Sequence, residues 1–123
     1  MLHNYSIGTD IVEVNRLRKM SENHEDRFFK HVFTENEVEW CQTHINPYVH
    51  LAGKFAAKEA VKKALMALGE SNTIPMNVIE IHRDKNQPPT VRILQSLSRS
   101  YRFQISISHT EHLATAVAIA ELT

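Results

Sequence analysis

A lone cysteine, Cys41, leaves the chain without the pair that an intramolecular disulfide needs. That excludes a stapled secreted scaffold and fits a reducing compartment. Cys41 stands beside Trp40 in a predicted helix, where a packed thiol is expected rather than a nucleophile. No apolar run approaches the roughly 20 residues of a membrane helix. Met1-Leu2-His3-Asn4 shows no basic segment leading into an apolar core, so no leader is expected and cytoplasm is the expected location. Nor is either charge in excess. Fourteen Lys and Arg cancel 14 Asp and Glu, which removes the net-charge signature of a nucleic-acid binder. Repeats and low-complexity segments are also absent.

What remains is a globular composition, 42% hydrophobic over 123 residues, read as one domain spanning 1–123. A chain this short buries about two thirds of its unfolded surface, so oligomerisation would help it. Residues 5–11 read as a buried strand and 12–20 as a helix with Val14, Leu17 and Met20 at spacing three. The polar stretch 21–26 reads as a loop, and 27–33 as a short amphipathic piece. Thr34-Glu35-Asn36-Glu37 has the form of a capping box that opens a helix ending near His44. Asn46-Pro47 then starts a long central helix that Gly69 stops. Residues 78–82 and 90–93 read as a hairpin, 94–100 as a helical turn, and 103–108 and 113–121 as two further strands. The expected class is α+β, an antiparallel sheet packed on the long helix.

Three segments carry chemistry. Phe55-Ala56-Ala57-Lys58-Glu59-Ala60-Val61-Lys62-Lys63 sets a carboxylate among ammonium groups, and Glu59 and Lys63, four apart, share a helix face. Such a face can hold a divalent cation and meet an anionic ligand together. It can equally be a solvated ion pair. Ile7-Gly8-Thr9-Asp10-Ile11-Val12 places Asp10 at a strand end, as a metal ligand or as the cap of the next helix. Gly8 suits a close backbone approach or a bulge. Ile105-Ser106-Ile107-Ser108-His109-Thr110 ends an apolar strand on His109, a residue type that can serve as a general base or as a hydrogen-bonded structural group.

In this order and at this spacing, the three segments resemble the holo-acyl carrier protein synthase family, the small trimeric phosphopantetheinyl transferases. The resemblance runs from about Tyr5 to Glu121. It implies transfer of 4′-phosphopantetheine from coenzyme A to a serine of apo-acyl carrier protein, in support of fatty acid biosynthesis. Magnesium is the implied cofactor, with Asp10 and Glu59 as its ligands. Lys63 is implied to meet the pyrophosphate and the departing adenosine 3′,5′-bisphosphate. Lys58 is a secondary candidate, either for anion binding or for a salt bridge. Ser108 and His109 fall in the implied coenzyme A cleft. The base is left open between His109 and a water on the metal. Arg16, and less securely Arg27, match arginines that meet the acidic carrier protein; ordinary solvated charge is the alternative. Phe28 or Phe29 would be an apolar contact or core.

One departure stands out. The family turn Asn-Gly-Lys-Pro corresponds here to Asn86-Gln87-Pro88-Pro89. Glycine and a cation are lost, so the turn must differ in backbone, with Lys85 or Arg83 as substitute cations. A homotrimer is expected from the resemblance. The Ala- and Val-rich last strand, apolar on both faces, gives a physical motive, because such a strand needs cover on both sides. Other readings are a transferase devoted to a polyketide or peptide carrier, a non-catalytic coenzyme A- or carrier-binding protein, and a structural trimer.

Overall fold

The structure, a computed structural model, describes residues 4–123, the side chains of 24–26 excepted. The segment Met1–His3, read as lacking a leader, lies outside the described residues. Strand β1 (Tyr5–Glu13) leads into helix α1 (Val14–Val32), followed by α2 (Glu35–Gln42) and α3 (Pro47–Ala67). A single 3-10 turn (Met76–Val78) precedes β2 (Ile79–His82), β3 (Thr90–Ile93), β4 (Tyr101–His109) and β5 (Leu113–Leu122). The expected α+β class is what forms: an antiparallel sheet β1-β5-β4 and a separate β2-β3 hairpin, both against α3.

The layer between α3 and the sheet is made of small residues. Ala52, Ala56, Ala57, Ala60 and Ala64 of α3 are fully buried beneath Ala114, Ala116, Ala118 and Ala120 of β5. Small side chains on both sides let helix and strand approach closely, and the closest approach falls at Gly8. A Cβ there would collide with the Ala60 carbonyl oxygen. The expectation of a close backbone approach holds, and only glycine permits it.

Two expectations are corrected. Residues 21–26 are not a loop: α1 runs unbroken over 14–32. No Gly or Pro breaks the helix there; Glu22 and Asn23 face solvent, while Ser21 is buried and its hydroxyl donates back to the Arg18 carbonyl at 2.8 Å. Residues 94–100 form no helical turn. Side chains satisfy that backbone instead. The Glu70 carboxylate accepts the Ser98 N–H at 3.0 Å, and Asn72 donates to the Ser96 carbonyl at 3.2 Å.

The capping box is present as read. Glu37 N–H donates to the Thr34 hydroxyl at 3.2 Å, and Thr34 N–H donates to the Glu37 carboxylate at 2.8 Å. Gly69 ends α3 with φ +81°. Asn46 occupies the N-cap position of α3 without a side-chain cap hydrogen bond. Cys41 is fully buried, and desolvation first of all pushes its thiol up to about 12, so it is packing and not a nucleophile.

Candidate active site

One long helix organises two regions of opposite character. On its β1 side, the Lys63 ammonium donates to the Thr9 carbonyl at 2.9 Å and to Asp10 Oδ1 at 3.3 Å. Glu59 lies one turn earlier on the same face. The crossing of β1 over α3 at Gly8 and Ala60 fixes this meeting, since Asp10 follows Gly8 by two and Glu59 adjoins Ala60. Lys63 is half exposed, so the pair is open to a ligand. Asp10 sits inside β1, four residues before the start of α1. Its alternative role as helix cap is thereby excluded. Glu13 takes the cap position, and Val14 N–H donates to the His112 carbonyl at 2.9 Å.

On the other side of α3 the charges are buried. Lys58 is fully enclosed, paired with Glu37 Oε1 at 2.6 Å and donating to the carbonyls of Ile79 at 2.6 Å and Met76 at 3.0 Å. Glu37 Oε2 accepts the Ile81 N–H at 2.7 Å, and Lys54 donates to the Ile81 carbonyl at 2.7 Å. β2 pairs with β3 along one edge; along the other, these three charged side chains take the place of a strand. Lys58 therefore has no ammonium surface left for an anion. Its cofactor-binding assignment is corrected, and the salt bridge is what it makes. Desolvation first of all lowers the basicity of both Lys58 and Lys54.

Beyond that buried region opens a groove of about 780 Å³. Its walls are Trp40 from α2, His44 from the turn that follows it, His50 and Lys54 from α3, Arg83 and Lys85 from the hairpin turn, and Ser108 and His109 from β4. Lys85 and Arg83, the expected substitute cations, both line it. The turn bends at Asn86, whose φ is +62°, a conformation that Asn tolerates and Gln87 is spared. Histidines run along the floor: His44 and His50 have ring centroids 4.0 Å apart, and His50 and His109 5.5 Å. Sequence reasoning missed His44, His50 and Lys54. Their only signal was their position around Asn46-Pro47 and one turn before Lys58.

Within one chain, His109 does not meet Asp10. β1 and β4 are the two edges of the sheet with β5 between them, and Asp10 is in register with Ala116, which faces Ile107 of β4. Two strand spacings, about 10 Å, separate the edges before the register offset is added. The described residues thus hold two separate clusters, candidate half-sites, one of carboxylates and Lys63, the other of cations and histidines.

Arg16 and Arg27 are both exposed on α1. With the helix unbroken, their interval of 11 residues, about three turns, returns them to nearly the same face, roughly 17 Å apart. Leu17 and Phe28, each one residue on and about 100° round the helix, turn into the core. Phe28 is buried and packs edge-on against Phe29 and Phe33, so it is core and not a contact surface.

Comparison with known proteins identifies the family. The chain is similar to the holo-[acyl-carrier-protein] synthase of Chlamydia trachomatis serovar L2, 45% identical over 120 residues, which cover 95% of this chain and 99% of the relative. The namesake of Leptospira biflexa is 41% identical, covering 93% and 94% of the two chains. Among solved structures, the Bacillus anthracis holo-(acyl-carrier-protein) synthase in complex with CoA (3′,5′-ADP) superposes with a TM-score of 0.76 at 31% identity, over 96% of each chain. The family model described as the 4′-phosphopantetheinyl transferase superfamily matches residues 6–118, a span that takes in Asp10, Glu59, Lys63 and His109. By this match and by its relatives, the chain belongs to the 4′-phosphopantetheinyl transferase superfamily.

Proposed function

We propose that the protein is a holo-[acyl-carrier-protein] synthase, with 1–123 acting as one transferase domain. It moves 4′-phosphopantetheine from coenzyme A to a serine hydroxyl of apo-acyl carrier protein and releases adenosine 3′,5′-bisphosphate. The observation that carries this is the ion pair of Lys63 with Asp10, one turn from Glu59 in a superfamily member.

The reaction cleaves a pyrophosphate, and negative charge gathers on the departing nucleotide phosphate. Lys63, half exposed, can swing from Asp10 to that phosphate and offset the charge. Asp10 and Glu59 then form an oxygen donor set suited to Mg²⁺. No group of three or more His, Cys, Asp or Glu gathers among the described residues to hold a metal. Two carboxylates without a full protein cage suit a magnesium site completed by waters and substrate phosphates. When bound, that ion would neutralise charge on the transferring phosphoryl group. Arg83, Lys85 and His109 hold the nucleotide, with Ser108 beside them on β4. The exposed basic line Arg16–Arg27 of α1 receives the acidic carrier protein.

The two half-sites on opposite sheet edges support a homotrimer with sites between subunits. Asp10, Glu59 and Lys63 come from one subunit, the histidine groove from the next. Ile7, Ile11 and Val117 stand exposed on the sheet face away from α3, an apolar surface of the kind that subunits cover. The buried lone thiol suits a cytoplasmic setting. No helix among the described residues is long and apolar enough to cross a membrane.

Incubating the protein with coenzyme A, magnesium and apo-acyl carrier protein tests the activity directly. A mass gain of one phosphopantetheine on the carrier is expected. An unmodified carrier, with coenzyme A intact, would refute it. Light scattering should give three times the mass of the chain, and an active monomer at micromolar concentration would refute the shared site.

A further inference from the structure

The groove contains more basic and imidazole groups than its neighbours can neutralise. Its one lining acid, Asp84, is already paired with His82 at 3.1 Å. Lys54, Arg83, Lys85 and three histidines remain. His44 Nδ1 lies 3.0 Å from the Trp40 carbonyl oxygen and 3.2 Å from the Thr43 hydroxyl, which itself donates to that carbonyl. A carbonyl can only accept, so this contact favours the tautomer with the proton on Nδ1. Nε2 of the neutral ring is then a bare acceptor and becomes a donor only when the ring takes up a second proton.

His50 faces charge from every element around it. His44 approaches from the turn after α2, Lys54 from its own helix, Arg83 from the hairpin turn and His109 from β4. Desolvation first, then these groups, depress its pKa to about 4, so the ring is neutral in the empty groove. An anion brought into the groove reverses the balance. It attracts the protons that the imidazoles otherwise repel from one another.

Given coenzyme A as the groove's ligand, as proposed, we infer that His44 and His50 bind one of its phosphates as imidazolium ions, so that nucleotide binding takes up protons. The recognised chemistry is a phosphate, either the 3′-monoester or the pyrophosphate. The pair acts in binding and in its pH dependence, and not in the transfer step. The sign follows from linkage. A group protonated more in the bound state than in the free state tightens binding as pH falls, up to about ten-fold per pH unit for each proton taken up. The ligand's own 3′-phosphate acts oppositely. Its second pKa is about 6, and binding the dianion releases protons.

Calorimetry of coenzyme A binding to the full chain, in two buffers of different ionisation enthalpy at pH 6.5, reads the proton count. Compared with wild type, the His44→Gln, His50→Gln double variant should take up fewer protons, by about half to one per site. From pH 8 to pH 6, its affinity should lose at least a three-fold gain that wild type shows. Repeating the titration with 3′-dephospho-coenzyme A assigns the phosphate: uptake lost with this ligand points to the 3′-monoester, uptake kept points to the pyrophosphate. Equal uptake by wild type and double variant, or uptake abolished by His109→Gln while both single variants keep it, would overturn the assignment. If the double variant does not fold, His44→Gln and His50→Gln are compared singly. Absence of any uptake by a wild-type protein that does bind coenzyme A overturns the inference while leaving the transferase function standing. A wild-type protein that binds no coenzyme A overturns both.

Discussion

Lys58 and Lys63 lie five residues apart on one helix, inside one motif, and have opposite fates. Lys58 is sealed between Glu37 and the carbonyls of the hairpin, whereas Lys63 stands half exposed against Asp10. Five residues turn a helix by about 140° beyond one full turn, which carries a side chain from one flank to the other. On one flank, desolvation makes the ammonium costly unless every donor is satisfied, so the pair is structural. On the other, water shares the charge and the ammonium is free to change partners. The same two residue types thus build a scaffold on one side of α3 and a half-site on the other.

The sharpest way to break the contrast is to truncate each lysine in turn. Lys58→Ala leaves the Glu37 carboxylate buried and unpaired and frees the unpaired edge of β2. A loss of about 3–5 kcal/mol is expected in urea denaturation. Lys63→Ala should cost under about 1 kcal/mol, yet lower kcat by about 10²–10³-fold through lost charge stabilisation. Equal stability of the two variants would refute the division.

Glu59→Gln sharpens the reactive side. It preserves shape and removes one carboxylate charge. With saturating magnesium, transfer should fall by at least about 10²-fold while the denaturation midpoint stays within experimental scatter. Near-normal turnover would remove Glu59 from the metal site. Gly8→Ala attacks the hinge between the two regions, where β1 meets α3. Its methyl group collides with the Ala60 carbonyl, and backbone has no rotamer with which to yield. A destabilisation of about 1–3 kcal/mol or more should accompany reduced transfer, because Asp10 moves with the strand. A fully stable, fully active Gly8→Ala protein would show that β1 can shift without cost.

How far the sequence shows this division depends on the range of the interactions. The capping box at Thr34 and Glu37, the stop at Gly69 and the span of α3 are local, and they read correctly. Asp10 and Lys63, read from two separate motifs, do meet, because Gly8 lets β1 cross α3 at Ala60. The burial of Lys58 was not legible, since its partner Glu37 lies 21 positions away and only packing brings them together. Polarity at 21–26 suggested a loop, but exposed helix faces are polar too. The segment 94–100 looked helical because nothing in it reveals that Glu70 and Asn72 supply its hydrogen bonds. The histidine groove joins α2, α3, the hairpin and β4, four elements that no single window of sequence contains.

Arg16→Glu tests a smaller effect, on the exposed line of α1. Reversing one charge should raise the KM for carrier protein by about ten-fold at low salt, with the KM for coenzyme A little changed. The difference should shrink as ionic strength rises, because exposed charges are screened. An unchanged carrier KM would mean that Arg16 is merely solvated.

The smallest expected effect concerns a third carboxylate near α3, Glu70, just past its end. Desolvation pushes this carboxyl up, but backbone N–H groups of Asn72 and Ser98 and the Tyr101 hydroxyl donate to it and together hold its pKa down to about 2. The ionised form therefore ties the loop 94–100 to the end of the helix. The folded-state pKa lies below the ordinary carboxylate value, so the folded chain binds fewer protons than the unfolded chain in the interval between them. The stabilisation is thus complete above about pH 4.5 and is lost as pH falls toward 2. Glu70→Gln should flatten the fall of the thermal midpoint across that acid interval and leave transfer at neutral pH near normal, since Glu70 lies in neither half-site. The group is only partly buried, so the change in slope should be modest beside the loss from Lys58→Ala. An acid limb of unchanged steepness in Glu70→Gln would mean that other carboxylates govern the acid transition and that the Glu70 hydrogen bonds contribute nothing measurable to holding the loop.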